Sequence, residues 1–144
     1  MTDIRAMTID DYPCVIGLWR ETEFMLLREA DSRDSIGRYL ERNPGLSFVA
    51  FEEGRLVGAV LAGTDGRRGY LQHLSVAADK RGCGLGRELV KRVTDALYKQ
   101  GIVKTHLFVQ EGNDQARAFY DRLGWSRRND VKMFSYNAGS NPEI

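Results

Sequence analysis

Apolar and polar residues change period several times along the chain, and each change marks the edge of an element. "DIRAMT" (residues 3–8) has the mixed, short pattern of a first strand. Val15, Ile16, Leu18 and Trp19 then recur at helical spacing behind Asp10 and Asp11, either of which suits an N-cap, so a helix is expected to about Glu21. "TEFMLLREADSRDS" (22–35) keeps no clean period. A second helix is expected from about Asp34 to Arg42, where Asn43-Pro44-Gly45 stops it. "LSFVAFEEGRLVGAVLAG" (46–63) reads as a hairpin whose two apolar runs flank a short turn at Glu52-Glu53-Gly54-Arg55.

"DGRRG" makes the next turn, and "YLQHLSV" (Tyr70 to Val76) the next strand. Leu85, Leu89, Val90, Val93, Ala96 and Leu97 lie on one helical stripe that ends at Gly101, a good residue for leaving a helix. "VKTHLFV" (103–109) predicts another strand. Asn113 or Asp114 then caps a helix with Ala116, Phe119, Tyr120 and Leu123 on one face, closed by Gly124. "WSRRNDVKMFSY" (125–136) predicts one or two final strands. The order β-α-α-β-β-β-α-β-α-β, with room for one more strand, describes an α/β protein with a mixed sheet. No internal repeat or linker divides it, so residues 1–137 are expected to form one domain and residues 138–144 a flexible tail.

Composition narrows the partners more than the fold. The chain has 144 residues, 42% hydrophobic and 28% charged, enough for one ordinary core. Its net charge of +1 makes no electrostatic case for a nucleic acid or a membrane surface. No apolar run approaches the ~20 residues of a membrane span, and the N-terminus lacks the apolar segment of a secretory signal. A cytoplasmic protein is expected. Cys14 and Cys83 form no close pair and suit reduced thiols, and the scattered cysteines and histidines predict no metal site.

The chemistry is concentrated in "LSVAADKRGCGLGRELVKRV" (74–93). Gly82, Gly84 and Gly86 stand between an apolar strand and an amphipathic helix, although glycine inside an element costs about 0.5–1 kcal/mol relative to alanine. A glycine turn running into a helix N-terminus offers unpaired backbone N–H groups and the positive end of the helix dipole, which together favour a phosphate or pyrophosphate over residues 81–87. The Walker pattern fails, because Gly86 is followed by Arg87 and Glu88 rather than Lys and Ser or Thr. The dinucleotide fingerprint fits poorly as well, since the spacing is G-x-G-x-G.

The run Arg81-Gly82-Cys83-Gly84-Leu85-Gly86 instead resembles the R/Q-x-x-G-x-G/A signature for acetyl-CoA in the GNAT superfamily of N-acetyltransferases. "NDQARAFYDRLGW" resembles a second motif of that superfamily, N-x-x-A-x-x-x-Y-x-x-x-G-F/W, through Asn113, Ala116, Tyr120, Gly124 and Trp125. The element order fits from about residue 3 to residue 136. The resemblance implies a single-domain GNAT fold, with a mixed, mostly antiparallel sheet of six or seven strands flanked by about four helices. It implies that the fourth and fifth strands splay apart around the pantetheine arm of acetyl-CoA. Leu74, Ser75 and Val76 would face that arm, the segment Arg81, Gly82, Cys83, Gly84, Leu85, Gly86 and Arg87 would hold the pyrophosphate, and Asn113 would complete the cofactor site. Arg81 and Arg87 either touch the phosphates or are merely solvated.

The implied reaction is direct attack of an amine on the thioester in a ternary complex, with acetyl-CoA as cosubstrate and no metal. Tyr120 matches the family tyrosine that protonates the departing sulfur, although its place on the apolar stripe also suits simple packing. Many relatives carry a glutamate on the strand before the loop, where this chain has Gln72, which accepts no proton. His73 titrates in the useful range but, by strand alternation, points to the face opposite Gln72; it is either the base or a hydrogen-bonded strand histidine. Glu111 is a weaker candidate, and a water-mediated route without one essential base stays open. Cys83, near a helix N-terminus, is not expected to be a nucleophile, and His106 is expected to be structural. In the family the acceptor meets the first two helices, the turn before strand four and the C-terminal strands, here with Trp19, Glu21, Glu23, Phe24, Glu29, Asp31, Asp65, Arg67 and Arg68. A small amine, an amino acid, and a peptide or protein amine all remain open as acceptors. Dimerisation is common among members and is an open expectation here. A catalytically weak acyl-CoA-binding sensor or interaction module is the alternative, kept alive by Gln72; another kind of nucleotide-binding domain is the third.

Overall fold

The computed structural model describes residues 2–144. A five-stranded sheet runs in the order β1 (Asp3–Ala6), β2 (Phe48–Glu52), β3 (Arg55–Thr64), β4 (Gly69–Val76) and β5 (Thr105–His106). Pairing is antiparallel as far as β4, and β4 and β5 are parallel. The β2–β3 turn places Glu53 at φ 50° and Gly54 at φ 76°. Left-handed backbone at both central positions matches the right-handed twist of the flanking strands, and a glycine supplies half of it without strain.

Helices cover both faces. α1 (Tyr12–Arg20) and α2 (Arg33–Arg42) lie on one side, where Val15, Ile16, Leu18, Trp19 and Ile36 pack on Val49, Ala59 and Leu61. α2 begins one residue earlier than the pattern predicts, because the Ser32 hydroxyl accepts from the Ser35 N–H and acts as the cap. The irregular stretch before it contains a 3-10 turn, Glu29–Asp31. α3 (Leu85–Lys99) covers the other face, its Leu89, Val90, Val93 and Leu97 set against Val57, Val60, Ala62 and Leu71. α4 (Asp114–Arg122) rests on the same cluster through Phe119 and Tyr120, with Asn113 accepting from the Ala116 N–H as its cap. Among the described residues, no helix is long and apolar enough to cross a membrane.

Two expectations about strands are corrected. The fifth strand contracts from residues 103–109 to Thr105–His106, paired with Gly69 and Tyr70 alone. Beyond His106 the chain turns away from β4, and a strand without a neighbour makes no ladder. The sheet also has five strands rather than six or seven, since residues 125–136 form none. Their apolar side chains Val131, Met133, Phe134 and Tyr136 are exposed. Apolar composition alone does not make a strand; an edge with free backbone groups has to lie alongside it. At the other end of that segment, Asn141 donates to Glu29 and Glu143 pairs with Arg28, so residues 141–144 lie against the 3-10 turn.

Candidate functional site

Where β4 and β5 part, a groove opens between Leu71–Val76 on one side and Leu107–Gln110 on the other, and it continues to the start of α3. Its phosphate-sized end is built from backbone. Gly82 and Gly84 have φ 80° and 90°, and a Cβ at either would meet nothing within 4 Å, so conformation and not space requires glycine there. Gly84 is the N-cap of α3 and has no side chain to satisfy the first helical N–H groups. Among the described residues, no side chain, and no backbone group outside the helix, accepts from the amides of Gly82 to Arg87. They converge with the positive end of a 15-residue helix.

The third glycine has a different reason. A Cβ on Gly86 would stand 3.2 Å from Cζ of Phe119. Its smallness also lets α4 pack closely on α3, while its amide stays with the other outward-facing N–H groups.

The expected cofactor residues divide accordingly. Leu74, Ser75, Val76, Arg81, Gly82, Gly84, Gly86, Arg87 and Asn113 all line the groove. Leu85 and Cys83 do not line it. The Leu85 side chain turns to Gly58 in the core, and exposed Cys83 donates its thiol to the Lys80 carbonyl at 2.7 Å. Arg81 is already engaged: Nε donates to the Val76 carbonyl at 3.0 Å and Nη1 to Glu23 at 3.1 Å, tying the loop to the end of β4. Among the described residues Arg87 makes no such pair and is the freer cation.

Tyr120 lines the same groove, ringed by Phe119 at 5.0 Å and Trp125 at 5.6 Å between ring centroids. Burial pushes its phenol well above the ordinary value, so it is protonated at neutral pH. Glu111 is exposed and lies outside the lining.

At His73 the strand departs from simple alternation. β3 and β4 pair Leu61 with Gln72 and Ala59 with Ser75, so His73 and Leu74 together face the single residue Val60. This is a β-bulge, and His73 occupies its left-handed position at φ 50°. Alternation is reset there. Leu71 packs on the α3 side, and by period two His73 would follow it. Instead the imidazole crosses to the α1 side, edge-on to the buried Trp19 ring at 4.8 Å, while Leu74 and Val76 return to the α3 side. The expectation that Gln72 and His73 point to opposite faces is overturned by one inserted residue.

The imidazole then meets a group 42 residues away. His73 Nε2 lies 2.7 Å from Oδ1 of Asp31, whose other oxygen accepts the Arg28 N–H at 2.9 Å. Burial would raise the Asp31 carboxyl, but the hydrogen bonds from His73 and Arg28 outweigh it and hold it below the usual carboxylate range. The sequence points to Asp31 only as one of several acids near the acceptor region. The pairing itself left no local trace, because the two residues share no helix turn or strand register. Among the described residues, no cluster of three or more His, Cys, Asp or Glu is arranged to hold a metal ion.

Residues 4–125 match the model of the acetyltransferase (GNAT) family. The chain is 38% identical over 122 residues to an acetyltransferase of Pectobacterium atrosepticum, covering 84% of this chain and 85% of that protein. It is 35% identical over 132 residues to an acetyltransferase of Sodalis glossinidius, covering 91% and 92%. Among solved structures, PaiA N-acetyltransferase from Thermoplasma acidophilum in complex with coenzyme A superposes with a TM-score of 0.79 at 19% identity, over 91% of this chain and 93% of that one. The aminoglycoside-modifying AAC(6′)-Iy, bound to a CoA bisubstrate analogue, gives 0.77 at 18% identity over 96% and 99%. At those identities the structures speak for the fold, while the family match and the closer sequences speak for descent: the chain belongs to the GNAT family and is an acetyltransferase.

Proposed function

We propose that this enzyme is an acetyl-CoA-dependent N-acetyltransferase that acts on a primary amine by direct attack in a ternary complex. One observation carries the reading: a backbone cradle of free N–H donors and two proton-handling side chains, His73 and Tyr120, open into a single groove.

The donor set fits a CoA pyrophosphate. The amides of Gly82 to Arg87 point outward from a left-handed turn and a helix start, with Arg87 adding charge. Among the described residues, the edge of β4 from Leu71 to Ser75 has no β5 partner, so its backbone groups are available to an extended amide-bearing arm, while the Val76 carbonyl is taken by Arg81. The thioester supplies an electrophilic carbonyl carbon and a sulfur leaving group. His73 takes a proton from the attacking ammonium nitrogen, and the freed lone pair bonds to the acetyl carbon as the C–S bond breaks. The Tyr120 hydroxyl donates its proton to the departing sulfur and is restored by the second proton, which the new amide nitrogen sheds.

Titration calorimetry with acetyl-CoA, with ATP and NAD as controls, tests the cradle. Saturable binding of acetyl-CoA alone is expected, followed by thiol release on a panel of primary amines. A folded protein that ignores acetyl-CoA would overturn the reading. Binding without turnover on the panel, unchanged by Tyr120→Phe, would leave an acyl-CoA-binding module instead.

A further inference from the structure

We infer that Asp31 is a positioning residue that fixes the tautomer of His73 and so assigns the proton-accepting atom as Nδ1. The inference rests on His73 being the base, and deepens it.

The argument begins with the carboxylate. An ionised Asp has only acceptors to offer, and Asp31 spends one oxygen on the Arg28 N–H and the other on His73 Nε2. Nε2 must therefore carry the hydrogen. In a neutral imidazole this leaves the lone pair on Nδ1. Among the described residues Nδ1 has no protein partner, and the side chain is 27% exposed, toward the groove.

Asp31 could simply cap its own turn, with His73 as an incidental neighbour. Two features speak for more. A non-glycine residue at φ 50° is strained, and such strain persists where surrounding structure holds it. Here the bulge, the Trp19 ring and Asp31 all constrain the same imidazole. The local charges are accounted for as well. Glu23 pairs with Arg81, Arg28 with Glu143, and the Tyr12 hydroxyl donates to the Asp31 carbonyl at 2.6 Å. That leaves Asp31 as the one charged group bonded to the ring among the described residues.

Asp31→Asn gives a specific test. The Arg28 N–H still needs an acceptor, so the Asn oxygen turns to it and the NH2 faces Nε2. Nε2 must then accept, the hydrogen moves to Nδ1, and the base is lost. Long-range ¹H–¹⁵N correlation of the two imidazoles, assigned with His106→Gln, reads the tautomer directly in the folded protein without any acceptor. The wild type is expected as the Nε2–H form and Asp31→Asn as the Nδ1–H form. With an amine from the panel, kcat of Asp31→Asn is expected to fall about 10²–10⁴-fold. Its acetyl-CoA affinity should be unchanged, and Asp31→Glu should restore part of the rate.

An Nδ1–H tautomer in the wild type would overturn the inference, even if Asp31→Asn fails to fold. So would a folded Asp31→Asn that keeps both the wild-type tautomer and the wild-type rate. A protein with the expected tautomers but no turnover would sink the proposed reaction and leave the Asp31–His73 pairing standing. The two failures are therefore distinguishable.

Discussion

Tyr120 and His73 carry the residue-scale consequences. Burial among Phe119 and Trp125 keeps the Tyr120 phenol protonated, as the proposed donation to sulfur requires. Tyr120→Phe is expected to lower kcat about 10²-fold while leaving the acetyl-CoA Kd within about twofold, as measured by steady-state kinetics beside calorimetry. Equal losses in both would mark it as a packing residue. His73 shows how much one backbone angle decides. The residue type was legible in "YLQHLSV", but its direction was not, because a bulge adds one residue and reverses every side chain beyond it. No pattern in seven letters marks where that residue is inserted.

At the scale of elements, the glycine loop and the splayed strands behave differently under substitution. Gly84→Val forces a branched residue into φ 90° at the N-cap of α3, where space is free but the conformation is not. Acetyl-CoA binding is expected to be lost while the far-UV spectrum and the core packing remain; unchanged affinity would rule out the loop as the pyrophosphate site. Gly69→Ala is the converse case. Its Cβ would stand 2.6 Å from Leu97 and 2.7 Å from Thr105, at the short β4–β5 junction. Overpacking of this kind costs about 1–3 kcal/mol, read as a lower urea midpoint. The helices were the most legible elements, since Leu89, Val93 and Leu97 declare their face in sequence. β5 and residues 125–136 were not, because strand identity depends on a neighbour that period and composition do not specify.

The molecule as a whole depends on two buried carboxylates. The Arg5 guanidinium, reaching Asp11 at 2.6 and 2.8 Å, holds that carboxyl below the usual range, and His73 with Arg28 does the same for Asp31 against the effect of burial. A folded-state pKa below the unfolded one, about 3.9 for Asp, gives stability that is present above that value. It is lost as pH falls through the lowered folded values. Melting temperatures measured from pH 6 downward are expected to drop steeply below about pH 4, and Asp11→Asn should be less stable at pH 6 with a flatter decline. A wild-type curve as flat as the variant's would show that the pair contributes nothing.

The order of elements, the two helical stripes, the glycine loop and the Asn113–Tyr120 helix could all be read from neighbours within a few positions, because helix periodicity, caps and left-handed turns are local physics. The family followed from those same local patterns. The tertiary structure alone decided three things: which strands find a partner, why Gly86 must be small beneath Phe119, and that Asp31 meets His73 across the groove. Each depends on atoms far apart in sequence whose contact exists only once the sheet has closed and its bulge has turned one imidazole from the α3 face to the other.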